Sequence, residues 1–124
     1  MKKNIVKAMD QRVIDWITGG ATRIFVYANN YPRWAIGLRA KIDTGADRGS
    51  IDDLLAQALG LEVVGQVNVK SASGKSLRRL YAATIKFERE KYDVILSGSD
   101  RNELECPVLL GIDLLQEICL SEEE

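Results

Sequence analysis

Ile36-Gly37-Leu38-Arg39-Ala40-Lys41-Ile42-Asp43-Thr44-Gly45-Ala46 is the stretch on which the fold turns. An apolar-rich run from Ile36 to Ile42 reads as a strand, and an ionisable residue and a glycine break it off. An aspartate at a strand end projects beyond the sheet, and a glycine two residues later lets another backbone approach closely. Asp-Thr-Gly is by itself also a good turn sequence, so its surroundings have to decide between the two readings. Upstream, Arg23-Ile24-Phe25-Val26-Tyr27-Ala28 is rich in β-formers and Asn29-Asn30-Tyr31-Pro32 is turn-prone, which makes Trp34 to Ile42 the second strand of a hairpin.

Downstream, Ser50 and Asp53 make a capping-box-like start to a short helix over residues 51–59, with two acids in the first turn and Gly60 as the stop. Strand patterns follow at Val63 to Lys70, Leu77 to Phe87 and Tyr92 to Leu96, separated by the polar turn Ser71 to Lys75 and the charged turn Glu88 to Lys91. Val108-Leu109-Leu110-Gly111-Ile112-Asp113-Leu114-Leu115 then runs from an apolar strand through a glycine into a short helix over Asp113 to Glu117, and Ser121 to Glu124 is an acidic tail. Short strands at regular spacing argue for a mainly all-β domain, a small sandwich or barrel, with one or two short helices. Before it, Ile5, Val6, Met9, Val13, Trp16 and Ile17 recur at three- and four-residue steps and Gly19-Gly20 closes the run. That spacing predicts a helical N-terminal extension over residues 1–20, although residues 12–17 also fit a strand. Residues 21–124 form the domain.

Composition narrows the chemistry. The chain of 124 residues carries 17 Lys and Arg against 18 Asp and Glu, a formal net charge of −1, and no histidine. One core suffices for a domain of this length. The balanced charge gives no footprint for nucleic acid or an anionic bilayer. Without histidine there is no Ser-His-Asp triad, no Cys-His dyad and no His-ligated zinc within the chain. Cys106 and Cys119 are its only thiols, and their apolar neighbours make buried free thiols the plainer reading than a pair. The basic start Met1-Lys2-Lys3 is followed by Lys7, Asp10, Gln11 and Arg12, which leaves no apolar leader or spanning segment, so a cytoplasmic protein is expected. Gly74-Lys75-Ser76 is no phosphate loop, because Val69 stands where that pattern needs glycine. Asp47, Asp52 and Asp53 admit a divalent-cation cluster, but acids at a helix start are more simply there for the backbone dipole.

Taken in order, the hairpin, Asp43-Thr44-Gly45-Ala46, the short helix ending Leu59-Gly60-Leu61, the polar Ser71-to-Lys75 hairpin and Leu109-Leu110-Gly111-Ile112-Asp113 resemble the retropepsin-like aspartic proteases over about residues 21 to 120. Through Ala40-Lys41-Ile42-Asp43-Thr44-Gly45-Ala46 and Asp100-Arg101 the chain is also similar to a bacterial branch of that superfamily labelled ATP-dependent zinc proteases. The zinc in that label finds no ligand set in this sequence. The resemblance implies a closed β-barrel of about six strands, a pepsin half-domain, in which each chain supplies half of an active site. Two Asp43 carboxylates, one from each subunit of a homodimer, would share one proton and activate a water against a peptide bond, with no cofactor and no metal. By the same resemblance Asp43 is catalytic, Thr44 holds the paired loops across the interface, Gly45 leaves room for substrate backbone, and Gly111 packs beneath the aspartate loop. Ala46 and Asp47 line adjoining subsites. Ser71, Ala72, Ser73 and Gly74 occupy the flap that would cover an extended peptide.

The departures from that pattern are local. Ile112 follows the second-motif glycine where retroviral proteases usually carry arginine, which leaves Arg48, Arg101 or nothing to partner Asp47. Gly49-Ser50 differs from the Thr or Ser common soon after the family motif, and the flap segment is polar and basic, with Lys70, Lys75, Arg78 and Arg79 nearby. The first twenty residues have no counterpart; covering an edge strand and extending the dimer interface are both open to them. Two functions follow. One is a homodimeric aspartic endopeptidase with a peptide or protein substrate. The other is a catalytically inactive barrel that serves binding or assembly and retains Asp43-Thr44-Gly45 as a structural loop.

Overall fold

The computed structural model describes residues 21–29, 34–43, 45–71, 74–101 and 106–121, so the predicted N-terminal helix and the acidic end of the tail lie outside the described residues. Strands β1 (Ala21–Tyr27) and β2 (Ala35–Ile42) pair antiparallel from Ala21↔Lys41 to Tyr27↔Ala35, which is the expected hairpin. Then come β3 (Ser50–Asp52), α1 (Asp53–Ala58), β4 (Glu62–Ser71), β5 (Gly74–Phe87), β6 (Glu90–Ser99), β7 (Val108–Leu110) and α2 (Ile112–Ser121).

The strands run in the order β1-β2-β7-β3-β6-β5-β4, and β1 also pairs with β5 through Phe25↔Lys86 and Val26↔Ile85. That extra pairing closes β1, β2, β7, β3, β6 and β5 into a six-stranded barrel, leaving β4 attached only to β5. Closure removes the exposed edges that an open sheet of this size would present. Period-two alternation fills the inside: Ile24 and Val26 on β1, Ala40 and Ile42 on β2, Tyr81, Ala83, Ile85 and Phe87 on β5, Tyr92, Val94 and Leu96 on β6, and Val108 and Leu110 on β7 are all buried. Each large side chain taken out of water in this way contributes roughly 1.5–3 kcal/mol. Cys106 is buried and free, as its neighbours suggest.

The start of the first helix differs from the expectation. Ser50, Ile51 and Asp52 are strand, because they pair at once with β6 (Ser50↔Ser97) and β7 (Ser50↔Leu109). The helix begins at Asp53, capped by Asp52, whose carboxylate accepts from the Leu55 N–H at 3.1 Å. Asp52 also accepts from the Arg101 N–H at 2.9 Å, so both its oxygens are engaged in structure. Pairing with two neighbours outweighs the local Ser-x-x-Asp signal. Gly60 ends the helix with φ of 71°, the left-handed conformation expected of it. The second helix is longer than predicted, Ile112–Ser121.

Below Leu80, strand β5 loses its β6 partner, since that ladder runs only from Leu80↔Ser97 to Phe87↔Glu90. Residues 74–79 pair with β4 alone, from Gln66↔Arg79 to Ser71↔Gly74, and so form a two-stranded arm that leaves the barrel. A register shift between Val63 and Gly65 marks its root.

Candidate active site

Strand β7 lies between β2 and β3, parallel to the first (Lys41↔Leu109) and antiparallel to the second (Ser50↔Leu109). Residues 43–49, which connect β2 to β3, therefore have to pass around the end of β7. The Asp43 N–H donates to the Leu110 carbonyl at 3.0 Å, and the Ile112 N–H donates to the Ala46 carbonyl at 2.8 Å. These two bonds hold the loop on both sides of Gly111.

The fit at Gly111 requires glycine. A Cβ there would lie 2.7 Å from the Arg48 carbonyl carbon, 2.8 Å from the Ala46 oxygen and 3.0 Å from the Gly49 nitrogen, all backbone atoms. Gly49 is equally tight, with the Leu109 carbonyl oxygen 2.6 Å from a Cβ position. The two glycines let the loop and the β7–α2 junction lie backbone against backbone. Ser97 completes the support by donating its N–H to the Gly49 carbonyl at 3.0 Å.

Asp43 sits at the crest of this loop, half-buried. Its Oδ1 accepts from the Gly45 N–H at 2.9 Å, and its carbonyl accepts from the Ala46 N–H at 3.2 Å. The aspartate is thus locked to its own turn by main-chain donors, and its second carboxylate oxygen has no partner among the described residues. Asp43, Gly45, Ala46 and Gly111 are brought together. Thr44, Ala72 and Ser73 lie outside the described residues, as does the Ser71 side chain. Gly74 sits at the far end of the arm with φ of 119°.

Asp47 and Arg48 follow on the loop and are exposed. They line a groove of about 830 Å³ together with Val64 and Leu80 at the arm root and Asp113 on α2, whose buried Oδ1 has no hydrogen-bond partner among the described residues. Arg101 does not reach Asp47. Its Nε donates to the Cys106 carbonyl at 3.0 Å and its guanidinium to Ser50 Oγ at 3.3 Å, which pins the loop before β7 to β3. Among the described residues no three His, Cys, Asp or Glu side chains cluster to hold a metal, and Asp52 and Asp53 are committed elsewhere.

One structural unit was not visible in the sequence. Asp53 Oδ1 accepts from the Tyr81 hydroxyl at 2.6 Å, while Oδ2 accepts from Gln57 Nε2 at 2.7 Å and from Arg79 at 2.8 Å. This network fastens the root of the arm to the first turn of α1. Burial, then the hydrogen bond to Asp53 and the charge of that carboxylate, raise the Tyr81 phenol above its ordinary 10.0. The fold therefore holds the phenol proton longer than the unfolded chain does. The contribution is complete below about pH 10 and lost as pH climbs through the folded value. Tyr81→Phe is expected to cost about 1–2 kcal/mol at neutral pH by leaving Asp53 one donor short. It should also flatten the alkaline fall in stability relative to wild type, as measured by urea unfolding from pH 8 upward.

Similar architecture occurs in solved structures. The EIAV protease complexed with the inhibitor HBY-793 superposes with a TM-score of 0.60 at 19% identity, over 79% of this chain and 86% of that one. A retropepsin-like aspartic protease from Rickettsia conorii gives 0.52 at 19% identity, over 80% and 72% of the two chains. The fold is retropepsin-like. The retropepsin-like barrel also matches the Legionella pneumophila protein Lpg0085, of unknown function, with a TM-score of 0.50 at 16% identity over 77% and 84%. No family model matches the sequence, and no curated protein does. Among the described residues no helix is long and apolar enough to cross a membrane.

Proposed function

We propose that this chain is one half of a homodimeric aspartic peptidase, with Asp43 of each subunit facing the other across a two-fold axis. The observation that carries the reading is the setting of Asp43. It stands at the crest of a loop clamped around β7, oriented by the Gly45 N–H at 2.9 Å, with backbone packing at Gly111 that tolerates no side chain. A carboxylate held this firmly at a strand end is suited to chemistry that depends on position.

The two carboxyl groups share one proton, because two like charges at close range are costly. The ionised member takes a proton from a water whose oxygen attacks the scissile carbonyl carbon. The protonated member donates to the carbonyl oxygen as that oxygen gains charge. A proton then passes to the amide nitrogen, the C–N bond breaks, and the pair returns with a single proton. No cofactor enters these steps. Ala46 and Asp47 border the substrate, and the β4–β5 arm, whose last pair is Ser71↔Gly74, covers it and keeps water out.

The reading is tested by incubating the purified chain with a randomised peptide library over about pH 4 to 8, with and without a peptidomimetic aspartic-protease inhibitor. Inhibitor-sensitive cleavage is expected, rising with protein concentration as dimers form. A confirmed dimer that cleaves nothing favours the inactive binding module.

A further inference from the structure

The arm has an unusual charge pattern. From Val63 to Phe87 the chain contains no Asp or Glu but carries Lys70, Lys75, Arg78, Arg79 and Lys86, in a protein whose formal net charge is −1. Strand register shows where these cations stand. Tyr81, Ala83, Ile85 and Phe87 fill the barrel, so alternation places Arg79, Leu77 and Lys75 on the continuation of that same inner face. Their cross-strand partners Gln66, Asn68 and Lys70 share it, with Lys70 directly opposite Lys75. Arg78 stands on the other face, opposite Val67.

Arg79 is answered by Asp53 at 2.8 Å. Lys70 and Lys75 are exposed, and among the described residues no carboxylate pairs with either. Two ammonium groups directly opposed on an antiparallel pair repel each other. An anion between them turns that repulsion into two attractions.

We infer that Lys70 and Lys75 set the specificity of this site, selecting peptides with an aspartate or glutamate side chain beside the scissile bond. The inference rests on the peptidase reading above. When the arm covers a bound peptide, its inner face meets the substrate, and the substrate carboxylate sits between the two ammonium groups. The Asp43 pair with its single proton carries a negative charge and would repel an acidic substrate. The two lysines reverse that balance locally and penalise a basic side chain at the same place. A peptide fits this arm better than a nucleic acid does. No aromatic side chain stands between Glu62 and Leu80 to stack a base.

The test takes the best-cleaved library sequence and places Glu, Gln or Lys at the residues flanking the cleaved bond. Wild-type protein is expected to prefer the Glu peptide to the Gln peptide by about tenfold in kcat/KM at low ionic strength, and less as salt is raised. The double substitution Lys70→Gln with Lys75→Gln should abolish the preference, and Lys70→Glu with Lys75→Glu should transfer it to the Lys peptide. Both sites are exposed, so the variants are expected to fold, and circular dichroism checks that they do. Equal cleavage of Glu and Gln peptides by wild type, or a preference that survives both double substitutions, overturns the inference and leaves the peptidase reading standing. Absence of cleavage in all proteins overturns the peptidase reading. Fluorescence anisotropy of labelled Glu-containing and Gln-containing peptides of otherwise random sequence with the Asp43→Asn protein then judges the arm separately. Preferred, salt-sensitive binding of the Glu peptides that is lost in the Lys70→Glu, Lys75→Glu background supports the arm's role, whereas no binding, equal binding of Glu and Gln peptides, or preferred binding of a single-stranded oligonucleotide, overturns it.

Discussion

Asp43→Asn should reduce kcat/KM for peptide hydrolysis by at least about 10³-fold, the scale of a lost general acid–base pair, while leaving the barrel folded. Asparagine keeps the shape of the side chain, and its amide oxygen still accepts from the Gly45 N–H that Asp43 Oδ1 engages at 2.9 Å. The loop therefore keeps its anchor. What disappears is the capacity to hold and release a proton, in the proposed dimer on both sides of its two-fold axis at once. Stability should move by less than about 1 kcal/mol, as for a conservative change at a half-buried position. Steady-state kinetics beside thermal unfolding separates the two effects. Retained hydrolysis would remove Asp43 from the chemistry, and loss of folding would make it a structural residue.

The second large effect belongs to Gly111→Ala. The new methyl would meet three backbone atoms at 2.7 to 3.0 Å, belonging to Arg48, Ala46 and Gly49, and backbone cannot step aside as a flexible side chain does. The cost should be about 1–3 kcal/mol of stability, measured as a lower urea midpoint. Relief of the clash must push residues 46–49 away from β7, and that movement drags the Asp43 turn with it through the Ala46–Asp43 hydrogen bond at 3.2 Å. Activity should fall more than stability alone explains, even at temperatures where the variant is fully folded. Gly65→Ala is the control, since a Cβ there meets only the end of Leu80 at 3.6 Å, an ordinary contact. If Gly111→Ala unfolds no sooner than Gly65→Ala, the packing of the loop against β7 is not what holds the site.

These two positions are legible in the sequence because each lies in a pattern with a local signature. Asp43 ends an apolar strand ahead of a glycine, and Gly111 joins an apolar strand to a helix. The β1–β2 hairpin and the Gly60 helix stop were readable for the same reason: turn residues act within a few positions of themselves. Gly49 carries no comparable mark. Its need for a hydrogen in place of a side chain comes from Leu109, far along the chain. Ser50 to Asp52 misled for a related reason. A Ser-x-x-Asp signal describes a helix start in isolation, whereas pairing to β6 and β7 depends on strands that arrive later in sequence. The Asp53–Tyr81–Arg79 network was invisible because sequence neighbours of Asp53 explain it equally well as a first-turn acid. The groove beside Asp47 likewise exists only once the arm root, β6 and α2 are assembled.

In the proposed peptidase, one site needs two Asp43 carboxylates from two chains. Wild-type and Asp43→Asn proteins should be mixed at constant total concentration, allowed to exchange subunits fully, and assayed on a single cleaved peptide. If both carboxylates are required, activity follows the square of the wild-type fraction, so an equal mixture retains about a quarter of the wild-type rate. An equal mixture that retains about half, with activity linear in the wild-type fraction, would contradict the account by showing that each chain works alone.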